Sequence, residues 1–432
     1  MVSGNDTGND AGNDAGNDVV DLFPPGTHSD GDGTLVVGGC RLDDLATEFG
    51  TPVMVVDEGA LRRRAREYLH EFRSRRQGTD VAFASKSFPC TAIQRLMTEE
   101  GLHLDVAGGG EIITALAAGA DPGRLVLHGN AKSDEELELA VREGVGLVVV
   151  DNFDDIDRLE RIVPPGRTQA CLVRVIPGVE AATHASVATG HAGSKFGLMP
   201  DDARTAITRI ERSGVLRCDG LHTHVGSQLL NVEQLAAAVA PLAALGTFDV
   251  YDLGGGLGVR YTYDEHAPSV AEYADAMVAA ADALLPKASR VIVEPGRSMV
   301  ATSACTVYRV TTVKHGELNH VAVDGGMGDN LEVALYGQRF EATVVNRVGG
   351  GTTVNLVGRH CESGDQLIDG VALQDPAVGD LVAVPVTGAY CYTMSNQYNG
   401  ARRIPVVFAD AGTARLVVRR DTWDDLLVRD VT

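Results

Sequence analysis

Several common sequence features are scarce or missing in this chain of 432 residues. No apolar run approaches the ~20 residues of a membrane-spanning helix, and the N-terminus lacks the basic-then-apolar order of a secretory signal. The seven cysteines form no C-x-x-C pair, which argues against a disulfide scaffold or a structural zinc site. We therefore expect a cytoplasmic protein with no metal site.

Positive charge is also scarce, since the formal net charge is −22. Phosphate backbones are bound by basic surfaces, so this balance argues against a nucleic-acid partner. Only five of the 37 basic residues are lysines. Such an excess of arginine indicates either a GC-rich genome or a salt-adapted host, and both explanations stay open.

The first thirty residues have almost nothing apolar to bury. The triplet Gly-Asn-Asp recurs at residues 4–6, 8–10, 12–14 and 16–18. This composition is typical of disorder, so we predict a disordered low-complexity tail over residues 1–30.

From residue 51 the sequence alternates short β-branched runs with amphipathic helical stretches. Repeated units of this kind over about 250 residues predict a (β/α)₈ TIM barrel, here spanning 51–305. After residue 305 the runs are β-branched without long helices, which predicts a C-terminal β-sandwich or β-barrel domain over 306–432. Residues 31–50 read as a strand and a helix that join this β domain. The fold class is therefore α/β with an added β domain.

Lys86 stands where the apolar strand 81–84 gives way to a loop. Burial of an amine lowers its pKa and favours the neutral, nucleophilic form that makes a Schiff base with a carbonyl compound. The alternative is a structural lysine whose amine reaches solvent from the strand end.

Three other strand ends carry polar or glycine-rich sequence. One has His224, Gly226 and Ser227, a second has the triplet 254–256, and a third has Glu294 and Arg297. Taken singly, these are a structural histidine, a tight turn and a surface ion pair. In combination, however, these groups fit one cofactor, pyridoxal phosphate. It needs a lysine, a glycine loop that can bind phosphate, an imidazole and a carboxylate.

The ordered motifs resemble those of the diaminopimelate decarboxylases, pyridoxal-phosphate enzymes of the alanine-racemase-like fold (fold type III), and the actinobacterial branch most. The stretches that carry the resemblance are Ala84-Ser-Lys-Ser-Phe, Gly108-Gly-Gly-Glu, His128-Gly-Asn, Ser194-Lys-Phe-Gly, His222-Thr-His-Val-Gly-Ser-Gln, Asp252-Leu-Gly-Gly-Gly-Leu-Gly, Glu294-Pro-Gly-Arg, Asp324-Gly-Gly-Met, His360-Cys-Glu-Ser-Gly-Asp and Gly388-Ala-Tyr-Cys-Tyr.

The resemblance implies a role for each matching residue. Lys86 holds the cofactor covalently, His224 stacks on its ring, and Glu294 pairs with its ring nitrogen. The residues that it implies around the cofactor are Lys86, His224, Gly226, Ser227, Gly254, Gly255, Gly256, Glu294, Gly296, Arg297 and Tyr390.

Cys361 is implied as the second catalytic residue beside Lys86, the one that protonates the substrate carbon after CO₂ leaves. By the same resemblance Cys361 and Glu362 reach into the partner's barrel, so the enzyme is a homodimer with shared active sites. The alternative for Cys361 is a buried structural thiol.

One position departs from the family pattern. The resemblance implies that two arginines and a tyrosine bind the distal carboxylate of the substrate; Arg297 and Tyr336 match, but Glu332 stands in place of the second arginine. Glu332 either changes the substrate or turns away, for example toward Arg339 or Arg359. The predicted substrate-binding residues are Arg297, Glu332, Tyr336, Glu362 and Tyr390.

The sequence thus predicts decarboxylation of meso-diaminopimelate to L-lysine and CO₂. The alternative is a related decarboxylase that acts on another diamino, basic or modified amino acid. An amino-acid racemase and a non-catalytic protein that binds pyridoxal phosphate are further alternatives, which the cysteine motif and the β domain disfavour.

Overall fold

The computed structural model describes residues 19–179, 190 and 193–431. Eight parallel strands close into a barrel whose last strand pairs with its first, as the sequence predicted. The barrel strands are Thr79–Ala84, His103–Val106, Leu125–Leu127, Leu147–Val150, Gln169–Arg174, Leu216–His222, Val250–Asp252 and Arg290–Val293. The accompanying helices are Glu58–Arg75, Thr91–Glu99, Gly109–Ala117, Asp134–Glu143, Phe153–Ile162, Pro200–Arg212, Val232–Ala237, Val239–Ala243, Val270–Leu284 and Arg297–Val300.

The interior of the barrel is filled by a separate apolar cluster. Ala82 belongs to it, while its strand neighbours Val81 and Phe83 pack into the larger core. This alternation is the period of two that a strand imposes on its side chains. Because the interior is filled, functional groups collect at the mouth where the strands end.

Local signals set the starts of several helices. Asp57 accepts a hydrogen bond from the Ala60 N–H, and Ser133 and Glu136 form a reciprocal capping box. Each arrangement satisfies backbone donors that a helix start leaves unpaired. None of the helices in the described ranges is long and apolar enough to cross a bilayer.

A second, mixed sheet of nine strands forms the β domain. Its strands are Val53–Asp57, Ala304–Lys314, His320–Val323, Thr343–Val344, Thr352–Val357, Gln366–Leu373, Leu381–Pro385, Val406–Asp410 and Thr413–Val418. Two short helices, Glu332–Tyr336 and Trp423–Leu427, belong to the same part of the chain. The sequence analysis did not assign the strand at 366–373.

The strand Val53–Asp57 lies inside this second sheet, antiparallel to Ala304–Lys314 and parallel to Val406–Asp410. The expected barrel boundary at residue 51 is therefore wrong, and the barrel follows this strand. All five of its residues are buried. An apolar run of this kind fits a barrel strand and a central sheet strand equally well, so the pattern could not distinguish them.

The N-terminal segment packs against the β domain. Strands His28–Ser29, Leu35–Val37 and Cys40–Arg41 form a small sheet, followed by the helix Leu42–Phe49. Its side chains share an apolar cluster with strands of the second sheet.

Of the tail predicted over 1–30, residues 1–18 lie outside the described residues. Leu22 and Phe23, by contrast, are buried. The boundary at residue 30 is therefore too late, because the Gly-Asn-Asp repeats stop at residue 18 and apolar residues follow.

Candidate active site

The polar groups of the site lie where the barrel strands end, at one mouth of the barrel. The strand Thr79–Ala84 passes into a turn that holds Lys86, and Glu294 follows the strand Arg290–Val293. Other polar residues at or just after strand ends are Asp105, His128, Arg174, His222 and Asp252. The arrangement places cationic and anionic groups in one water-poor space.

The Lys86 amine lies 3.9 Å from Asp105 Oδ2, and its side chain is 42% exposed. Burial lowers the pKa of Lys86, but Asp105, Tyr390 and Glu294 favour the ammonium form, and the net pKa is raised. The sequence predicted a lowered pKa for Lys86, and this prediction is wrong. Acidic neighbours, which the strand sequence does not reveal, outweigh the desolvation.

Glu294 is held by two histidines in the buried wall of the site. Its Oε1 lies 2.6 Å from His128 Nε2, and its Oε2 lies 3.3 Å from His222 Nε2. Burial alone raises the pKa of Glu294, but the two histidines reverse this effect and hold its pKa well below the usual value. Glu294 is therefore an anion that can accept a proton or a hydrogen bond from a bound ring.

The pKa of the neighbouring Asp252 carboxyl group is shifted in the opposite direction. Burial, and then the charge of Glu294, raises the pKa of Asp252 well above its usual value. Its Oδ1 accepts a hydrogen bond from the Gly254 N–H at 3.0 Å. The pKa values of the two carboxyl groups are thus shifted in opposite directions, which is a common sign of a functional site.

The glycine loop after the strand Val250–Asp252 packs tightly against two neighbouring loops. A Cβ atom on Gly255 would lie 1.9 Å from the carbonyl oxygen of Glu294. The Gly255 N–H donates to His224 Nδ1 at 3.2 Å, which leaves the imidazole proton on Nε2. Burial, followed by the charge of Lys86, lowers the pKa of His224 well below its usual value. His224 is thus a neutral ring beside Lys86.

Arg297 and Glu332 form a buried ion pair. Arg297 is 6% exposed and Glu332 is 0% exposed, and Arg297 Nη1 lies 2.8 Å from Glu332 Oε1. Arg339 pairs with Asp264 instead, at 2.9 Å. Glu332 therefore neither turns outward nor pairs with Arg339, because it is buried and paired with Arg297.

Two tyrosines flank this pair. The Arg297 guanidinium lies 4.7 Å from the centre of the Tyr390 ring, and the Tyr390 N–H donates to the Ser87 carbonyl oxygen at 2.8 Å. Burial, then Glu332, raises the pKa of Tyr336. Four of the five predicted substrate-binding residues, Arg297, Glu332, Tyr336 and Tyr390, thus lie close together around Arg297.

Cys361 and Glu362 lie elsewhere, on the β domain. Both are exposed; the Cys361 N–H donates to Asn399 Oδ1 at 2.8 Å, and the Tyr398 hydroxyl lies 3.5 Å from Glu362. The alternative of a buried structural thiol at Cys361 is therefore wrong. The catalytic role of Cys361 therefore stays a prediction, and it requires a second copy of the chain.

Several residues of the site were not predicted from the sequence. His128 and His222 hold Glu294, Asp105 faces Lys86, and Tyr261 contacts Arg297. A single polar residue at the end of an apolar strand was the available signal. The groups His128, His222, Asp252 and Glu294 also bring ligand atoms within 4.8 Å of one another, a set that a divalent ion could use.

The site fits pyridoxal phosphate. Among the described residues, no well-aligned hydrogen bond reaches one buried polar atom each of His222, Glu294 and Asp105. Such atoms accept or donate to a bound polar ring at little further cost of desolvation. A reachable amine, a neutral imidazole and closely packed glycines complete the chemistry that an aldehyde-bearing, phosphorylated pyridine requires.

Comparisons with known proteins agree with this geometry. A family model described as the pyridoxal-binding domain of pyridoxal-dependent decarboxylases matches residues 58–301. A diaminopimelate decarboxylase of Mycobacterium tuberculosis is 41% identical, with 95% of this chain and 98% of that protein covered. One from Actinosynnema pretiosum is 43% identical, with 95% of each covered. The crystal structure of diaminopimelate decarboxylase from Helicobacter pylori complexed with L-lysine is 27% identical, with a TM-score of 0.84, covering 90% of this chain and 98% of that one.

Proposed function

Because this chain belongs to the diaminopimelate decarboxylase family of pyridoxal-dependent enzymes, we propose that it removes the α-carboxylate of a diamino acid at the barrel mouth. The relatives' name supports meso-diaminopimelate, which would give L-lysine and CO₂. The observation that carries the proposal is the Lys86 amine beside Asp105, at the same barrel mouth as the buried Glu294, which two histidines keep anionic.

Pyridoxal phosphate, when bound, supplies the electron sink for the bond between Cα and the carboxylate. Lys86 would hold it covalently, His224 would stack on its ring, and Glu294 would hold a proton at its ring nitrogen. Ser227 and the backbone of Gly226, Gly254–Gly256 and Gly296 would hold the phosphate. The buried walls of the mouth exclude water, which strengthens each of these charge interactions.

The proton that replaces CO₂ is assigned to Cys361 of a second copy of the chain, with Glu362 beside it. An exposed thiol on the β domain supports this assignment, because within one chain its contacts lie with Asn399 rather than with the barrel mouth. The homodimer is therefore part of the proposal. We also propose a cytoplasmic location, which the seven free cysteines support.

Shared sites predict a specific result when two inactive variants are mixed. Lys86→Ala damages the barrel side of the site and Cys361→Ala the β-domain side, so a mixed dimer contains one intact site. Random mixing should restore about a quarter of wild-type CO₂ release, since half of the dimers are mixed and each has one working site of two. Mixing Lys86→Ala with Glu294→Gln, both on the barrel side, is the control and should restore nothing. No recovery from confirmed mixed dimers would exclude shared sites.

The reaction is tested by supplying meso-diaminopimelate to the cofactor-loaded enzyme and measuring CO₂ and lysine in the same sample. Equal amounts of the two products are expected for the family reaction. Change in stereochemistry without CO₂ would support a racemase instead, and no reaction with any amino acid would contradict the proposal. The buried pair of Arg297 and Glu332 favours a second class of substrate, amino acids whose side chain ends in an amine.

A further inference from the structure

The carboxylate of Glu332 is the most unusual charge in the site. It stands at the start of the short helix Glu332–Tyr336 and is 0% exposed. A buried carboxylate is costly unless cations or hydrogen bonds compensate it. Its surroundings therefore show which ligand charge this end of the site favours.

The residues that the structure describes compensate the charge of Glu332 only in part. Its Oε1 lies 2.8 Å from Arg297 Nη1, but without the alignment of a hydrogen bond. Its Oε2 has the Tyr261 hydroxyl at 3.5 Å, the outer limit for such a contact. A carboxylate can accept about four hydrogen bonds. Glu332 thus retains acceptor capacity that a bound donor would use.

Arg297 is in the opposite condition, because several groups occupy it. Besides Glu332, it contacts the Tyr261 hydroxyl, and its Nε lies 3.3 Å from Ser227 Oγ. Its guanidinium also stacks 4.7 Å from the centre of the Tyr390 ring. The cation that would attract a carboxylate is thus already neutralised and held in place.

These contacts determine whether this end of the site favours a positively or a negatively charged substrate group. A substrate carboxylate that reached Arg297 would lie next to the anionic Glu332, and repulsion between buried like charges is expensive. An ammonium group would meet a carboxylate that has one cationic partner and retains acceptor capacity, with Tyr336 nearby. Charge-assisted bonds of this kind are the stronger ones.

We propose that this enzyme acts on α-amino acids whose side chain ends in an amine with no carboxylate beside it, and that Glu332 is the residue that selects them. This inference rests on the proposed decarboxylase function, but it replaces meso-diaminopimelate, which the relatives' name supports, as the preferred substrate. The bond between Cα and the carboxylate breaks, CO₂ leaves, and a proton takes its place on Cα. No oxidant or other reactant is required, and the product is a terminal diamine.

The test is a comparison of kcat/KM for CO₂ release by the holoenzyme from L-lysine, L-ornithine, L-norleucine and meso-diaminopimelate. We expect a terminal amine to be preferred over norleucine by about 10- to 100-fold, the effect of one hydrogen bond to a charged group. It should be preferred over meso-diaminopimelate by at least as much. Faster reaction with meso-diaminopimelate would overturn this inference while the decarboxylase function stood. No CO₂ from any substrate, with the cofactor bound, would contradict both.

Variants at residue 332 separate its charge from its shape. Glu332→Gln should reduce kcat/KM for lysine by about 10- to 100-fold more than it reduces kcat/KM for norleucine. Glu332→Arg should shift preference toward meso-diaminopimelate. The exposed Glu317→Gln is the matched control. Cofactor absorbance and Tm report whether each variant folds and loads, and dissociation constants for lysine from absorbance titration report binding without turnover. Unchanged preference in a folded, loaded Glu332→Gln enzyme would overturn the assignment.

The preference should also depend on pH. Burial raises the pKa of Glu332, although Arg297 opposes the shift. Below its pKa the carboxyl is neutral, so the ratio of kcat/KM for lysine to that for norleucine should fall as pH is lowered through this pKa. Arg297, Tyr261, Tyr336 and Cys391 are the ionisable groups that face it. A constant ratio across the acidic range would contradict the selecting role.

Discussion

Replacing Lys86 with arginine is expected to reduce kcat by roughly six orders of magnitude, the scale seen when a covalent catalytic group is removed. Arginine keeps a positive charge near Asp105, but its guanidinium cannot form the covalent link that an amine forms. The fold should survive, because the Lys86 side chain is 42% exposed and contributes little to the core.

The measurement for this variant is steady-state CO₂ release together with mass spectrometry after borohydride reduction. In the unchanged protein the cofactor mass should be found on the peptide that contains Lys86, and in Lys86→Arg on none. Lys287→Arg, at an exposed position, is the matched control and should behave as wild type. Cofactor fixed on another lysine, with activity kept, would refute the role of Lys86.

Replacing Glu294 with glutamine should lower kcat by about 10²- to 10³-fold, the cost of removing one well-placed charge from an active site. The amide has nearly the same shape but cannot hold a proton at a bound ring nitrogen as a carboxylate does. The two histidines keep the native group anionic, so the charge is present throughout the neutral range.

Glu294→Gln should still bind the cofactor covalently, because Lys86 and the glycine loop are unchanged. Activity should therefore fall with the covalent link intact, which separates this variant from Lys86→Arg. Glu317→Gln again serves as the exposed control. Wild-type kcat in a loaded Glu294→Gln enzyme would show that the ring is not controlled by this carboxylate.

Much of the fold could be predicted because strand and helix periodicity alternate plainly along residues 79–293. The same periodicity could not place the strand Val53–Asp57. Its five buried residues would suit a barrel or a central sheet strand, and its partners at 304–314 and 406–410 lie far along the chain. Pairing between distant segments leaves no local signal.

The site residues also divide into those whose grouping the sequence could predict and those whose contacts it could not. Residues such as Lys86, His224 and Glu294 stand at strand ends that the barrel must bring together, so their grouping follows from the topology. The contact between Arg297 and Glu332 depends instead on how the helix Glu332–Tyr336 of the β domain meets the barrel mouth. Side-chain direction at such a junction is decided by packing, not by the residue order. The catalytic role of Cys361 stays a prediction, because it depends on a second copy.

The position of the strand Val53–Asp57 has a consequence for the order of events during synthesis. It is made before the barrel, but one of its sheet neighbours, Val406–Asp410, is made only after nearly the whole chain has emerged. The barrel pairs its strands successively and can therefore assemble first, whereas this early strand must wait with unpaired backbone groups. Closing such a long loop is slow. We therefore expect the β domain, which holds Glu332, Cys361 and Tyr390, to form last, after most of the groups around the cofactor are already in place.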